Sequence, residues 1–330
     1  MPKILMTSVR EDEETAIAAY AQQHHVEIDI SRDELHPDKL PDLRQYDGLI
    51  VQQTAKIGGD SAFYRTLAQQ GLQQITTRTA GYDMIEVALA KEAGLKVTNV
   101  PAYSPRSVAE MALMQIFRLL RRTWAFDQRV AQHDFRWGGL QAREIHTVTV
   151  GIIGAGRIGS TLAQLLHALG ARVLAYDINP QPAYESFLTY VDKETLLAES
   201  DIVSLHVDLN PSSVGLLSAA DFERMPSHAG LVNASRGPVV NTDDLLTALM
   251  SGEIEAAALD TVEGESAIFN HDLRQQGVAD QRIQQLLDLP NVIMTPHVAF
   301  YTNLAVQNMI DIALDDVLLI IQGQPALHEI

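Results

Sequence analysis

The stretch TVTVGIIGAGRIGSTLAQLLHALGARVLAYD, from Thr147 to Asp177, contains the pattern that decides the fold. An apolar run leads into the glycine-rich GAGRIG, and a helical pattern of apolar residues follows at once. In such a unit the first glycine permits a tight turn, the second admits a pyrophosphate, and the third lets helix pack on strand. The helix N-terminus then offers unpaired N–H groups to the phosphates. The cofactor contacts predicted here are Gly154, Gly156, Arg157, Ile158 and Gly159.

The last residue of the stretch indicates which dinucleotide is bound. Asp177 ends the next apolar segment, RVLAYD, at the distance expected for the acidic residue that bonds the ribose hydroxyls. A carboxylate there accepts a hydrogen bond from the 2′-OH of NAD and repels the 2′-phosphate of NADP. No arginine stands in the DINPQP that begins at Asp177, so the sequence predicts NAD.

Strand-like and helix-like segments alternate along the rest of the chain. The first hundred residues contain KILMTS, VEIDIS, GLIVQ, ITTR and KVTNV, and the later part contains TVTVGIIG, RVLAYD, DIVSLHV, GLVNAS, AAALDT and NVIMTPH. This alternation predicts an α/β fold with parallel sheets and helical crossovers. Because 330 residues exceed the usual size of one core, we expect two domains.

The segment NVPAYSPR indicates a boundary between the two domains. Ser104 suits an N-cap and Pro105 suits the first helical position, which predicts a long helix from about Arg106 to Gln132. Its apolar positions cover more than one stripe, which is typical of a helix buried between domains or subunits. A final amphipathic helix is predicted from about Thr302 to Gln322.

Composition excludes several classes of function. The net charge of −18 repels nucleic acid and anionic lipid, and the basic residues concentrate only at Arg118, Arg121 and Arg122. The chain has no cysteine, no metal-binding motif, no signal-peptide pattern and no apolar run of membrane-spanning length. We therefore expect a cytoplasmic protein with a small-molecule substrate, without metal, membrane or nucleic-acid partners.

Three polar residues follow predicted strands of the second half. Arg236 comes after GLVNAS, Glu265 after AAALDT, and His297 ends NVIMTPH. In parallel sheets ligands gather at the carboxyl ends of strands. Reduction of a carbonyl by hydride needs a proton donor, and histidine titrates in the range that this role requires. An arginine guanidinium can bind a substrate carboxylate through two parallel hydrogen bonds. Taken singly, each residue also fits an ordinary role as a loop donor, a solvated carboxylate or a capped core histidine.

The ordered set of motifs resembles a known family. The segments are TNVPAYSP, DFRW, GIIGAGRIG with Asp177, VSLHV, VNASRGPVVNTD, ALDTVEGE and PNVIMTPHVAFYT, between about residues 76 and 309. Together they resemble the D-isomer-specific 2-hydroxyacid dehydrogenase family, and within it the D-lactate dehydrogenases of lactic acid bacteria. The resemblance implies two doubly wound domains. A Rossmann NAD-binding domain, 103–299, is inserted into a flavodoxin-like substrate domain, 1–102 and 300–330, and homodimers form through the NAD-binding domain.

The resemblance also implies roles for individual residues. Arg236 binds the substrate carboxylate, His297 is the acid/base, and Glu265 pairs with His297. The other matching cofactor contacts are His206, Val207, Ser213, Ala234, Ser235 and Asp260. The matching substrate contacts are Ala80, Gly81, Tyr103, Phe300 and Tyr301.

Departures from the family pattern leave the substrate open. Asp208 stands where proline is common, Val262 where an aromatic residue is common, and RTAGYD where RNVGVD is frequent. Reduction of pyruvate to D-lactate with NADH is the first expectation, followed by 2-ketoisocaproate or aromatic 2-keto acids. Glycerate or phosphoglycerate dehydrogenase is an alternative assignment, although the sequence leaves no room for the regulatory domain that many phosphoglycerate dehydrogenases carry. Glu265 argues against a formate dehydrogenase. An NAD-sensing scaffold is the non-enzymatic alternative.

Overall fold

The chain folds into two compact units. The computed structural model describes residues 1–53 and 55–330. Met1–Ser104 and Tyr301–Ile330 form the first unit, and Pro105–Phe300 forms the second. The junctions between the units fall at 104/105 and 300/301. The family resemblance implied domain boundaries at 102/103 and 299/300, within two residues of these junctions. Pro105 opens a helix, so the second unit begins with that element.

The first unit is built on a five-stranded parallel sheet of order β2-β1-β3-β4-β5. The strands are β1 Lys3–Met6, β2 Glu27–Ile30, β3 Gly48–Val51, β4 Gln74–Thr77 and β5 Lys96–Thr98. The helices are α1 Glu14–His24, α2 Ser61–Gln69, α3 Val87–Glu92 and the C-terminal helix Asn303–Ile321. All five strands and the final helix lie where the sequence predicted them.

Helices cover both faces of this sheet. On one face Ile17 of α1 and Leu314 of the C-terminal helix pack in one apolar cluster with Ile4. On the other face Leu67 of α2 joins a cluster with Leu49. The buried strands are apolar because a sheet covered on both sides exposes neither face to water.

The second unit is built on a seven-stranded parallel sheet of order β12-β11-β10-β9-β6-β7-β8. The strands are β6 Thr149–Ile153, β7 Arg172–Tyr176, β8 Thr189–Tyr190, β9 Ile202–Leu205, β10 Gly230–Asn233, β11 Ala256–Leu259 and β12 Val292–Met294. The helices are α4 Pro105–Leu120, α5 Thr123–Ala131, α6 Arg157–Ala168, α7 Lys193–Glu199, α8 Ala219–Phe222, α9 Thr242–Ser251 and α10 Gln281–Asp288.

Both faces of the second sheet are also covered. Ile116 of α4 and Leu162 of α6 share one apolar cluster, whereas Leu196 of α7, Leu245 of α9 and Ile283 of α10 share another. The predicted fold class, two doubly wound parallel-sheet units, is confirmed.

The chain runs from β6 outward to β8 and then returns to β9 on the other side of β6. Ligands bind at the carboxyl ends of strands beside such a reversal.

The single long helix predicted from Arg106 to Gln132 is wrong. The structure has two helices, α4 and α5, with Arg122 between them in the left-handed conformation at φ 53°. The Arg122 guanidinium donates to the Gly139 carbonyl and pairs with Glu255 at 2.7 Å. A break at one residue leaves the apolar spacing on each side intact, so periodicity does not reveal it.

Within the described residues, no helix is both long and apolar enough to cross a membrane.

Candidate active site

The glycine turn after β6 has no room for side chains. Gly154 has a φ of 94°, a backbone conformation that residues with a side chain rarely adopt. A Cβ at this position would also lie 2.6 Å from the His206 carbonyl oxygen. A Cβ on Gly159 would lie 2.0 Å from the Gly154 carbonyl oxygen. The two glycines therefore let the turn pack against the end of β9 and against its own helix α6.

The helix that follows the turn is open to an anion. Gly156 is the N-cap of α6, and nothing lies within 4 Å of the place its Cβ would take. A glycine has no side chain to cap the N–H groups of Ile158 and Gly159 in the first turn of the helix. Those groups and the positive end of the helix dipole suit a pyrophosphate.

Asp177 lies directly after β7, beside the glycine turn. Its carboxylate accepts hydrogen bonds from the N–H of Ala155 and of Asn179, each at 2.7 Å. An ionised carboxylate has about four lone-pair sites, so it retains capacity for a ribose hydroxyl. The next residue, Ile178, is 89% exposed and carries no charge that would attract a 2′-phosphate. The turn, helix and carboxylate together fit NAD.

The other predicted cofactor contacts follow β9 and β10. His206 and Val207 come directly after β9, and Val207 Cγ1 would lie 2.8 Å from a Cβ on Gly154. The Ser213 hydroxyl donates to the Asp208 carbonyl at 2.6 Å and so closes the loop beyond them. Ala234 and Ser235 come directly after β10 and are buried. They line the same sheet edge as the glycine turn, and their contact with a cofactor stays a prediction.

Glu265 and His297 are brought together although they lie on separate loops. His297 Nδ1 lies 2.7 Å from Glu265 Oε1 and donates to it, since an ionised carboxylate only accepts. The second oxygen, Oε2, accepts the Val262 N–H at 3.0 Å. Glu265 thus holds the imidazole by one nitrogen and leaves Nε2 as the atom for proton exchange.

His297 has an uncommon backbone conformation for a residue with a side chain. Its φ is 54°, and its N–H donates to the carbonyls of Asp260 and Thr295. Its ring makes an edge contact with Phe300 at 6.4 Å between centroids. A left-handed non-glycine residue held by its surroundings is a feature of functional sites.

Asp260 braces the loop that carries His297. Its carboxylate accepts from the Thr295 hydroxyl at 2.5 Å and from the N–H groups of Val298 at 3.1 Å and Ala299 at 2.9 Å. The residue is 1% exposed. The sequence pointed to Asp260 as a cofactor contact; its bracing of residues 295–299 was missed, because the partners lie 35 or more positions away.

Arg236 follows β10 in a turn shaped by Asn233. The Asn233 amide donates to the Arg236 carbonyl at 3.0 Å, and its oxygen accepts from the N–H and hydroxyl of Ser235. A Cβ on Gly237 would lie 2.1 Å from the Val262 carbonyl carbon. The Arg236 turn therefore packs on the backbone that also donates to Glu265. The strand-end Asn and the Gly after Arg236 are the sequence signals for this approach.

Four of the predicted substrate contacts belong to the first unit. The Ala80 carbonyl accepts from Asn99 and the Gly81 carbonyl from Thr79, which fixes the loop after β4. The Tyr103 carbonyl accepts from Asn308, and Arg10 lies 5.5 Å from the Tyr301 ring centre. Their contact with a substrate stays a prediction.

Comparison with known proteins identifies the family. Residues 113–299 match the family model described as D-isomer specific 2-hydroxyacid dehydrogenase, NAD binding domain. A D-lactate dehydrogenase from Lactobacillus delbrueckii subsp. bulgaricus is 38% identical over 99% of this chain and 98% of its own. The chain belongs to the D-isomer-specific 2-hydroxyacid dehydrogenase family. The family resemblance inferred from the ordered motifs is therefore confirmed.

Solved structures of the family resemble the chain over its whole length. A D-lactate dehydrogenase from Sporolactobacillus sp. is 51% identical, with a TM-score of 0.85 and coverage of 99% of this chain and 98% of its own. A D-isomer specific 2-hydroxyacid dehydrogenase from Lactobacillus delbrueckii ssp. bulgaricus, in its NAD complexed form, is 38% identical. Its TM-score is 0.87, with 99% coverage of both chains. As a member of this family, the protein is an NAD-dependent enzyme.

Proposed function

We propose that this protein is an NAD-dependent D-lactate dehydrogenase that reduces pyruvate to D-lactate. The observation that carries the proposal is the hydrogen-bonded pair Glu265–His297 at the carboxyl edge of the second sheet, on which the glycine turn also lies. The names of the similar proteins from Lactobacillus and Sporolactobacillus support lactate as the product.

His297 is the proton donor in this proposal. When bound, the nicotinamide supplies the hydride that reduces the carbonyl carbon. His297 Nε2 gives its proton to the carbonyl oxygen, and Glu265 holds the ring through Nδ1 so that Nε2 is directed at the substrate. The reverse reaction returns the proton from the hydroxyl to Nε2. The left-handed backbone of His297, fixed by Asp260, keeps the ring in one place.

Arg236 holds the substrate carboxylate. A guanidinium binds a carboxylate by two parallel hydrogen bonds, which fixes the direction of the substrate as well as its position. A fixed direction decides which face of the carbonyl receives the hydride. The Gly237 contact supports this role, because it ties the Arg236 turn to the segment that positions Glu265.

The cofactor is held by the chain's own backbone and one carboxylate. The first turn of α6 binds the pyrophosphate and Asp177 binds the adenosine ribose. Phe300, in edge contact with His297, is proposed as a wall of the substrate pocket.

The first test is NADH oxidation by the purified protein with pyruvate, 2-ketoisocaproate and phenylpyruvate in parallel, followed by chiral analysis of the product. We expect turnover with all three, highest kcat/KM with pyruvate, and the D-hydroxy acid. A higher kcat/KM with either larger keto acid refutes the lactate assignment. Absence of turnover despite NADH binding favours a scaffold that senses NAD.

The second test addresses the proton donor. His297→Gln removes the exchangeable proton, and we expect kcat to fall by about 100-fold or more, the usual contribution of a positioned acid. NADH affinity, measured by fluorescence, should remain within about twofold. His271→Gln, at an exposed histidine of the same unit, is the matched control. Equal activity of the two variants contradicts the assignment.

We also propose that the protein is a homodimer through its second unit. Phe135 is 68% exposed and Trp137 is 88% exposed, on the segment that follows α5. Met114 of α4 and Val130 of α5 are exposed as well. All four lie between residues 114 and 137, and contiguous patches of exposed large apolar side chains mark association surfaces. Light scattering of the wild type should give twice the chain mass, and Trp137→Ser should shift it toward the monomer; a monomeric wild type refutes the proposal.

A further inference from the structure

A fully buried ion pair lies in the first unit. Arg78 Nε donates to Glu13 Oε1 and Arg78 Nη2 donates to Glu13 Oε2, each at 3.2 Å, and both side chains are 0% exposed. Removing two charges from water costs free energy, and apolar residues of similar size often give equal or greater stability. Stability alone therefore does not account for the pair, and the contacts of its two members show what it holds in place.

Arg78 connects the carboxyl ends of three strands. It directly follows β4, and its backbone N–H donates to the carbonyl of Val51, the last residue of β3, at 3.1 Å. Its guanidinium donates to the carbonyls of Thr7 at 3.0 Å and Ser8 at 3.2 Å, which directly follow β1. Ser8 has the left-handed backbone conformation, with φ 54°. The planar guanidinium thus fixes the turn after β1 against the residues that follow β4.

The residues after Arg78 form a loop at the place expected for a ligand. The chain runs from β1 to β2 and then returns to β3 on the other side of β1, and ligands bind at the carboxyl ends of strands beside such a reversal. Ala80 and Gly81, two of the predicted substrate contacts, lie two and three residues beyond Arg78. The Asn99 amide donates to the Ala80 carbonyl at 2.6 Å and fixes the loop from another strand end. Arg78 sets where this loop begins, and therefore where its backbone lies.

Glu13 also binds a second arginine. Its Oε2 accepts the backbone N–H of Arg10 at 2.8 Å, and its Oε1 lies 3.2 Å from Arg10 Nη2. Arg10 Nη1 donates to Gln52 Oε1 at 2.9 Å, and the Arg10 guanidinium lies 5.5 Å from the centre of the Tyr301 ring. A guanidinium at this distance over an aromatic ring is attracted to its face. Glu13 therefore orients the cation that contacts Tyr301, another predicted substrate contact.

We propose that Glu13 and Arg78 are positioning residues for substrate binding: one buried carboxylate fixes the 79–81 loop through Arg78 and the Tyr301 ring through Arg10. The inference rests on the proposed function, since it takes this loop and this ring as substrate contacts. The proposed proton donor and its carboxylate belong to the second unit. Loss of the buried pair should therefore weaken substrate binding and leave proton transfer intact.

The first variant is Arg78→Lys, assayed in the full chain by NADH oxidation with pyruvate. Lysine keeps the charge but places a single nitrogen where the guanidinium binds both Glu13 oxygens and two carbonyls. We expect KM to rise about tenfold or more, with kcat within about threefold and the Kd for NADH within about twofold, because binding shared by the ground state and the transition state is lost. Arg44→Lys is the matched control and should keep the wild-type KM, since Arg44 binds both oxygens of Asp42 in the same unit but at an exposed site.

A second set of variants separates positioning from stability. Glu13→Gln leaves the buried charge of Arg78 uncompensated and should lower the urea midpoint of unfolding. The double variant Glu13→Gln/Arg78→Met removes both charges, so its midpoint should return toward that of the wild type. KM for pyruvate should nevertheless stay raised by about tenfold in the double variant, because an apolar side chain cannot bind the carbonyls of Thr7 and Ser8. A KM that recovers together with the midpoint assigns the pair to stability and overturns the inference.

The remaining outcomes distinguish the inference from the function on which it rests. A wild type that reduces none of the three keto acids refutes the proposed function and the inference with it. A wild type that reduces pyruvate, together with an unchanged KM in Arg78→Lys, overturns the inference alone. A fall in kcat at unchanged KM overturns it as well, because the pair would then act on the chemical step.

Discussion

Substitution of Gly237 by alanine separates two loops that the proposed mechanism needs together. The new Cβ would lie 2.1 Å from the Val262 carbonyl carbon and 2.3 Å from the Glu263 nitrogen. Both are backbone atoms, so no side-chain rotation relieves the contact. Gly237 has no positive φ, and the effect is therefore one of contact alone.

The size of the effect follows from that distance. Carbon atoms in contact lie about 3.5–4.0 Å apart, so the loops must separate by more than about 1 Å. Arg236 precedes the substituted residue, and the Val262 N–H donates to Glu265, so both proposed roles are disturbed. Overpacking costs about 1–3 kcal/mol of unfolding free energy. A 1 Å misplacement of reacting groups costs about 100-fold in rate.

We therefore expect Gly237→Ala to lower kcat/KM for pyruvate about 100-fold. NADH affinity should change little, since Gly154 and Asp177 are untouched. The assay is NADH oxidation, with denaturation in urea to measure the unfolding free energy. Gly138→Ala is the control, because nothing lies within 4 Å of its Cβ position. Equal kcat/KM for the two variants would refute the reasoning.

Three other predictions concern charge and protonation. Asp177→Asn should reduce the preference for NADH over NADPH at least tenfold in measured Kd, because the repelling charge is lost; an unchanged ratio contradicts its role. Asp260→Asn should lower the unfolding free energy in urea by about 1–3 kcal/mol, since an amide cannot accept all three buried donors; Asp272→Asn, at an exposed site, is the control. Burial lowers the pKa of His206 from 6.5 to about 4. Between those values only the unfolded chain binds the proton, so stability should fall by up to about 3 kcal/mol as the pH falls from 6.5 to about 4, and then level off. His206→Gln should abolish this loss of stability between pH 7 and 5. An unaltered pH dependence in the variant contradicts the assignment of the loss to His206.

Local patterns in the sequence are sufficient to predict the glycine turn, most strands and the family. The glycine turn, the helix that follows it and Asp177 lie within one continuous segment, so their geometry depends on neighbours in the chain. Of the strands in the described residues, all but the two-residue β8 were predicted, because buried parallel strands are apolar runs bounded by turn residues. Arg236, Glu265 and His297 were predicted as site residues because each follows a strand, and parallel strands bring their carboxyl ends to one edge.

The contacts that hold those residues in place come from the folded chain and cannot be predicted from local sequence. The bond between Glu265 and His297 joins residues 32 positions apart, and the bonds of Asp260 to the His297 loop span 35 to 39. The close approach at Gly237 and the buried pair of Arg78 and Glu13 likewise depend on which segments the fold brings side by side. The break between α4 and α5 leaves no mark in the apolar period, because one left-handed residue redirects the chain without altering the pattern around it. Local propensity acts over a few residues, whereas these contacts are set by the packing of the whole sheet.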